Sequence, residues 1–182
     1  MLLCVALTVL RQFAGHLFAH RPSLVSVAIA VAKASALNIL QSECTRYGFC
    51  SVDLLLRVMK LGSVVTSGSL VLKLLHLSDF KTGDINFYMA EHAQEDNVLI
   101  DFLYICGYTM EQQPCFDEIL YTSSSTIRSV KRLVCVVGDR KTEVNIVFVA
   151  ILDVVYRAVL ELHSTLVMNV LAWYGIVCLY PR

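Results

Sequence analysis

Charged residues are scarce in this chain. Asp, Glu, Lys and Arg make up only 16% of its 182 residues, and the acids and bases balance to a net charge of zero. Soluble domains average about 25% charged residues. Nucleic-acid binding depends on clustered Lys and Arg, so this balance excludes a strongly basic nucleic-acid binder. With so few charges to cover the surface, we expect either that some apolar surface meets a partner or a membrane or that the protein is poorly soluble alone.

Several short functional motifs are missing as well. The seven cysteines include no CxxC pair, which argues against a zinc knuckle. There is no P-loop and no dinucleotide-binding glycine motif, and His16 and His20 lack the glutamate of a zinc-binding helix, since Leu17 stands in its place. We interpret the cysteines as reduced core thiols and predict an intracellular protein, cytoplasmic or nuclear.

Hydrophobic residues are abundant at 57%, which is enough for a sizeable core. Over residues 1–60 the apolar positions recur at helical spacing, as in Leu24, Val27 and Val31 after Pro22. Ser51 is a typical start for a second helix. We therefore predict an N-terminal helical segment over residues 1–60 and one further domain over residues 61–182.

The pattern changes after Gly62. Residues 84–90 alternate between polar and apolar, which predicts a strand with one buried face, and residues 96–105 and 153–162 have helical spacing. Two further apolar runs, 130–137 and 143–149, flank a turn that begins at Gly138, which predicts a hairpin. Together these elements indicate an α/β (α+β) fold and not a helical bundle.

The C-terminal tail is apolar and uncharged from Leu162 to Pro181, and it carries Trp173 and Tyr174. We expect a buried terminal helix or helix pair here. A membrane-spanning helix over 162–181 is the alternative, although polar residues such as His163 and Asn169 would be costly inside a bilayer.

The candidate functional residues lie in the middle of the chain. Gly68 and Ser69 follow a short strand, where a glycine and a hydroxyl at a helix N-terminus can approach a nucleotide phosphate. Asp84 and Asn86 are two residues apart on the next strand and therefore share a face, as metal-binding residues do.

This stretch resembles the nucleotidyltransferase superfamily, in which a strand ending in Gly-Ser and a helix precede a strand with two carboxylates. The resemblance implies a nucleotidyltransferase-like mixed sheet with flanking helices, preceded here by the N-terminal helical segment. It also implies a third carboxylate on a neighbouring strand. The pattern is incomplete because amides occupy the second and third positions, Asn86 and Asn145, and Glu143 is the one nearby substitute.

The incomplete set predicts a non-catalytic binding or interaction module. By resemblance, Gly68 and Ser69 would contact nucleotide or phosphate with weak affinity, and Asp84 and Asn86 would be the metal positions. We expect no cofactor, or Mg²⁺ if activity is retained, and a protein partner or nucleotide as ligand. Two alternatives stay open: an active metal-dependent nucleotidyltransferase that uses Asp84, and a small membrane-anchored protein.

A second resemblance covers residues 62–182. The segment His163-Ser164-Thr165-Leu166-Val167-Met168-Asn169, followed by Trp173-Tyr174-Gly175 and Tyr180-Pro181, is similar to the ending of a protein group of mushroom-forming fungi. That resemblance implies a fold and not a reaction.

Overall fold

The computed structural model describes residues 22–75, 82–91, 98–111, 126–150, 159 and 169–177. Within these residues the chain forms four helices and seven strands. In chain order they are α1 (Pro22–Arg46), α2 (Val52–Leu61), β1 (Val65–Ser67), α3 (Ser69–Leu74), β2 (Asp84–Ala90), α4 (Val98–Ile105), β3 (Thr109–Met110), β4 (Ile127–Val137), β5 (Arg140–Val149), β6 (Val170–Ala172) and β7 (Gly175–Val177).

All seven strands belong to one mixed sheet with the order β3-β4-β5-β2-β1-β6-β7. The central pair, β2 and β5, is parallel, and every other neighbouring pair is antiparallel. The predicted α/β (α+β) class, with a mixed sheet and flanking helices, is confirmed.

The central strand β2 has the alternation that the sequence predicts. Ile85, Phe87 and Met89 are buried in the larger of two hydrophobic cores, which α1, α2, α3 and α4 share with one face of the sheet. Tyr88 points to the opposite face and joins the smaller core with Val147. The predicted hairpin is also present as β4 and β5, whose two-residue turn begins at Gly138 with a φ of 61°.

The helix α2 begins where the sequence predicts. The Ser51 side chain accepts a hydrogen bond from the Leu54 amide and so caps the first turn. Leu55 and Met59 on its inner face are buried in the larger core, and Arg57 on its outer face is exposed. The predicted boundary at residue 60 therefore falls within the last turn of α2, and α2 packs into the same core as the elements that follow it.

The tail differs from the prediction of a terminal helix. Residues 170–177 form the antiparallel hairpin of β6 and β7, and β6 pairs with β1 inside the sheet. The prediction of a helix is wrong here because the backbone of residues 170–172 pairs with β1 on one side and with β7 on the other, while their side chains are buried as a helix would also have buried them. A single helix over 162–181, on which the membrane alternative depended, is not formed, and no helix in the described part of the chain is long and apolar enough to cross a membrane.

Some predictions fall outside the described residues. These are residues 1–21 of the predicted N-terminal helical segment, the helix over 153–162, apart from Val159, which is buried in the smaller core, and the segments 163–168 and 180–181.

Candidate functional site

The turn between β1 and α3 lies beside β2. Gly68 has a φ of 96° and a ψ of −151°, a conformation that L side chains rarely adopt. A Cβ built on Gly68 would lie 3.7 Å from the Asn86 Nδ2 atom. The Thr66 hydroxyl donates to the Asn86 carbonyl oxygen at 2.7 Å, and Ser67 donates to the Asn169 carbonyl oxygen at 2.7 Å. These contacts fix the turn against β2 on one side and the C-terminal hairpin on the other.

The parallel pairing of β2 with β5 aligns four polar residues. Asp84 lies opposite Glu143, and Asn86 lies opposite Asn145. Farther along the same face of these strands, Tyr88 and Val147 are buried in the smaller core. The polar residues are therefore gathered at one end of this face.

Three of these side chains form a hydrogen-bonded cluster, which we name the Asp84 cluster: Asp84, Asn86 and Asn145. The Asn145 amide nitrogen donates to Asp84 Oδ2 at 2.9 Å and to Asn86 Oδ1 at 3.0 Å. The Asn86 amide nitrogen donates to the same Asp84 oxygen at 3.2 Å. Asn145 is 7% exposed, whereas Asp84 and Asn86 are half-buried. One carboxylate oxygen thus accepts from both amides.

Arg132 on β4 sets the orientation of Asn145. Its Nε atom donates to Asn145 Oδ1 at 3.4 Å, so the amide oxygen faces Arg132 and the amide nitrogen faces Asp84 and Asn86. Arg132 also lies 3.8 Å from Glu111, and Lys141 lies 2.9 Å from Glu111 and 3.6 Å from Glu143. Two cations and two carboxylates therefore border the cluster on the β4–β5 side.

The other predicted site residues have less direct positions. Ser69 is the half-buried first residue of α3, next to Gly68 in the chain. Glu143 lies opposite Asp84 in the strand register, but its carboxylate faces Lys141. The structure therefore brings Gly68, Asp84, Asn86 and Asn145 together, with Ser69 and Glu143 at the margin.

A buried glutamate on α1 holds the helix that follows Gly68. Glu43 is 2% exposed, and its carboxylate lies 2.6 Å from Lys73 on α3. It also accepts from Thr82, just before β2, at 2.6 Å and pairs with Arg46 at 3.0 Å. Burial by itself would raise the pKa of Glu43, but the hydrogen bonds and the charges of Lys73 and Arg46 leave that pKa lowered. The ionised carboxylate thus links α1 to both elements of the site.

The Asp84 cluster does not fit a Mg²⁺ site in this arrangement. Magnesium needs oxygen lone pairs in octahedral geometry and is usually bound by carboxylates. Here Asn145 directs an N–H donor at the two oxygens, one from Asp84 and one from Asn86, that a cation would need. Among the described residues, no group of three or more His, Cys, Asp and Glu side chains could bind a metal ion.

The sequence motifs do not include Arg132 among the candidate site residues, although the structure places it beside Asn145. Counting residues outward from the predicted turn at Gly138 could have placed it there, because the hairpin register pairs Arg132 with Asn145. No sequence signal places Glu111, which lies after β3 and whose amide donates to the Arg132 carbonyl. Comparison with protein-family models, curated proteins and solved structures finds no match to this chain, so the site is interpreted from its own geometry.

Proposed function

We propose that this protein is a non-catalytic, nucleotidyltransferase-like binding module that takes a nucleotide weakly and without metal-dependent turnover. The observation that carries the proposal is the pair of hydrogen bonds from the Asn145 amide nitrogen to Asp84 and Asn86. The Asn145 N–H group therefore takes the place beside the Asp84 and Asn86 side-chain oxygens where a bound cation would lie.

Charge supports the loss of catalysis. Phosphoryl transfer relies on divalent metal to neutralise charge that develops on the phosphate oxygens. An asparagine can coordinate a hard cation through its carbonyl but brings no negative charge. The Asp84 cluster contains one carboxylate, and both amides donate to one of its oxygens.

The surroundings support binding of a phosphate-bearing ligand. At the Gly68 turn, the one heavy atom of the described residues within 4 Å of a built Cβ is the Asn86 Nδ2 atom at 3.7 Å, so a ligand can approach the backbone closely there. Arg132 and Lys141 supply positive charge at the β4–β5 side. Because Glu111 is shared by both cations, we expect weak affinity, with a Kd on the order of 1 mM, about 4 kcal/mol.

The direct test is turnover of labelled nucleoside triphosphates by the full chain with Mg²⁺ or Mn²⁺. We expect no transfer or hydrolysis above background, and we expect calorimetric binding of nucleotide that persists in EDTA. Arg132→Gln should weaken that binding, whereas Arg57→Gln, on the exposed face of α2, should not. Turnover that Asp84→Ala abolishes would establish the active alternative and overturn the proposal.

A gain-of-function variant tests the charge argument separately. Asn86→Asp with Asn145→Asp places three carboxylates in the cluster, so we expect a lower Tm in EDTA through repulsion and a Tm that rises with added Mg²⁺. The wild type should show no Mg²⁺ dependence. The same double variant with Asp84→Asn is the matched control and should respond less. A wild-type Tm that rises with Mg²⁺ to the same extent would contradict the proposal.

A further inference from the structure

Two cysteine thiols lie close together at the end of the molecule where α1 turns into α2. The Sγ atoms of Cys50 and Cys106 are 3.9 Å apart, although the residues are 56 positions apart in sequence. Cys50 is exposed and lies in the link between α1 and α2, and Cys106 is partly buried directly after α4. This contact between two distant parts of the chain plays no part in the proposed nucleotide site.

The geometry permits a bond between them. A disulfide joins sulfurs about 2.05 Å apart, so these two need to approach by roughly 2 Å. Both residues lie in turns and not within regular helix: Cys50 precedes the capping residue Ser51, and Cys106 precedes Gly107, whose φ is 87°. Neither residue lies within α2 or α4, so movement at these two positions does not interrupt either helix.

We propose that Cys50 and Cys106 are a peroxide-reactive dithiol that forms a reversible disulfide between the α1–α2 link and the end of α4. In the first step the Cys50 sulfur attacks a peroxide oxygen. An S–O bond forms, the O–O bond breaks, and the released hydroxide takes up the thiol proton as water. Cys50 is then a sulfenic acid.

In the second step the Cys106 sulfur attacks the Cys50 sulfur. The S–S bond forms, the S–O bond breaks, and hydroxide leaves with the Cys106 proton as a second water. The two thiols lose two electrons and the peroxide gains them. A dithiol reductant reverses the reaction by thiol–disulfide exchange.

The environment of the nearby thiols assigns the roles. Burial raises the pKa of Cys106 to about 11 and that of Cys44 to about 12, so neither is readily ionised at neutral pH. The exposed Cys50 is accessible to oxidant and is therefore the attacking thiol. The Cys135 sulfur contacts the Cys106 carbonyl oxygen at 3.7 Å and is a competing partner near Cys106.

The bond would have a defined structural effect. It would close a loop that contains α2, β1, α3, β2 and α4, and therefore Gly68, Asp84 and Asn86. Closing a long loop restricts the unfolded chain and so stabilises the fold. Oxidation would thus stabilise the unit that carries the candidate site.

The test uses the reduced full chain treated with hydrogen peroxide, blocked with an alkylating agent and mapped by mass spectrometry without reduction. We expect a linked peptide pair containing Cys50 and Cys106, and a Tm that rises by on the order of 5 °C and returns with dithiothreitol. Cys50→Ser and Cys106→Ser should abolish both effects, and Cys135→Ser should retain them.

Other results would overturn the proposal. These are oxidation confined to Cys50 as a sulfinic acid, or a bond from Cys106 to Cys135. A Cys50–Cys106 bond that leaves the Tm unchanged would overturn the stabilising effect but not the reaction. Circular dichroism of each reduced variant checks that it is folded. Cys50→Ala provides a second variant at the exposed position.

Discussion

At the scale of single residues, the backbone conformation of Gly68 requires a glycine, and this requirement can be tested. Its φ of 96° and ψ of −151° lie in a region that is nearly exclusive to glycine, whereas a Cβ there would meet Asn86 only at ordinary contact distance, 3.7 Å. The cost of Gly68→Ala is therefore backbone strain and not a clash. We expect a loss of about 1–3 kcal/mol in the free energy of unfolding, measured by urea denaturation.

Gly83→Ala is the matched control for this prediction. Gly83 has no heavy atom within 4 Å of a built Cβ and no positive φ. The free energy of unfolding of Gly83→Ala should therefore stay within about 0.5 kcal/mol of the wild-type value. Equal losses in both variants would show that the Gly68 conformation is not the cause.

The same scale shows what the sequence could predict of the site. The i, i+2 spacing of Asp84 and Asn86 fixes a shared strand face without any knowledge of tertiary structure. The hydrogen bonds of Asn145 depend on the parallel register of β2 and β5, which no local pattern specifies. The orienting role of Arg132, in contrast, depends on the antiparallel register of β4 and β5, which the two-residue turn at Gly138 sets.

At the scale of elements, Glu43 joins α1 to α3 and to the start of β2. Its pKa is lower in the folded chain than its ordinary value of 4.5, so the ionised carboxylate stabilises the fold above that pH. This contribution is lost as the pH falls through the folded pKa. We expect the free energy of unfolding of the wild type to fall below about pH 4.5 more steeply than that of Glu43→Gln, in denaturation curves measured between pH 3 and pH 7.

The loss of stability in Glu43→Gln depends on the two cations that would lose their carboxylate partner. Lys73 and Arg46 would lose a buried partner but are themselves partly exposed, with side-chain exposures of 31% and 27%. Water can therefore solvate them, and the cost near pH 7 should be at the lower end of the range for broken buried pairs, about 3 kcal/mol. Asp139→Asn, at the exposed turn between β4 and β5, should change neither quantity. Parallel pH profiles for wild type and Glu43→Gln would refute the assignment.

Elements also differ in how well the sequence predicts them. The strand β2 is long enough for a period of two to appear, and the hairpin of β4 and β5 consists of two long apolar runs around a glycine turn. Both were predicted. The strands β6 and β7 have three residues each, which is too short for either period, and their apolar composition equally suits a buried helix. Their pairing with β1 and with each other decides the outcome.

At the scale of the whole molecule, the larger core extends from Leu40 on α1 to Ile176 on β7. Within this core, the buried Tyr108 hydroxyl donates to the Tyr47 carbonyl oxygen at 2.8 Å and lies 3.1 Å from the Thr142 hydroxyl on β5. Lys60 on α2 lies 4.7 Å from the ring centre of Trp173 in the C-terminal turn. Sequence composition predicts ample core material, but the sharing of one core across residue 60 depends on packing that composition does not encode.

Because α2 and the sheet share this core, we expect a destabilising substitution in α2 to destabilise the sheet as well. Met59 is fully buried, and Met59→Ala should lower the free energy of unfolding by about 2–5 kcal/mol. If residues 1–60 and 61–182 unfold together, native-state hydrogen exchange should show the same loss at amides of β5, such as Ile146 and Phe148, as at amides of α2.

The exposed Arg57 on the same helix provides the control, since Arg57→Ala removes no core contact and should leave exchange in β5 unchanged. Loss of protection confined to α1 and α2 in Met59→Ala would instead show that the N-terminal helices open independently. In that case residues 61–182 would be a unit with its own stability, and the Glu43 and Cys50 contacts would act between two units and not within one. Because the Asp84 cluster lies on β2 and β5, cooperative unfolding would make its geometry depend on helices that precede it in the chain.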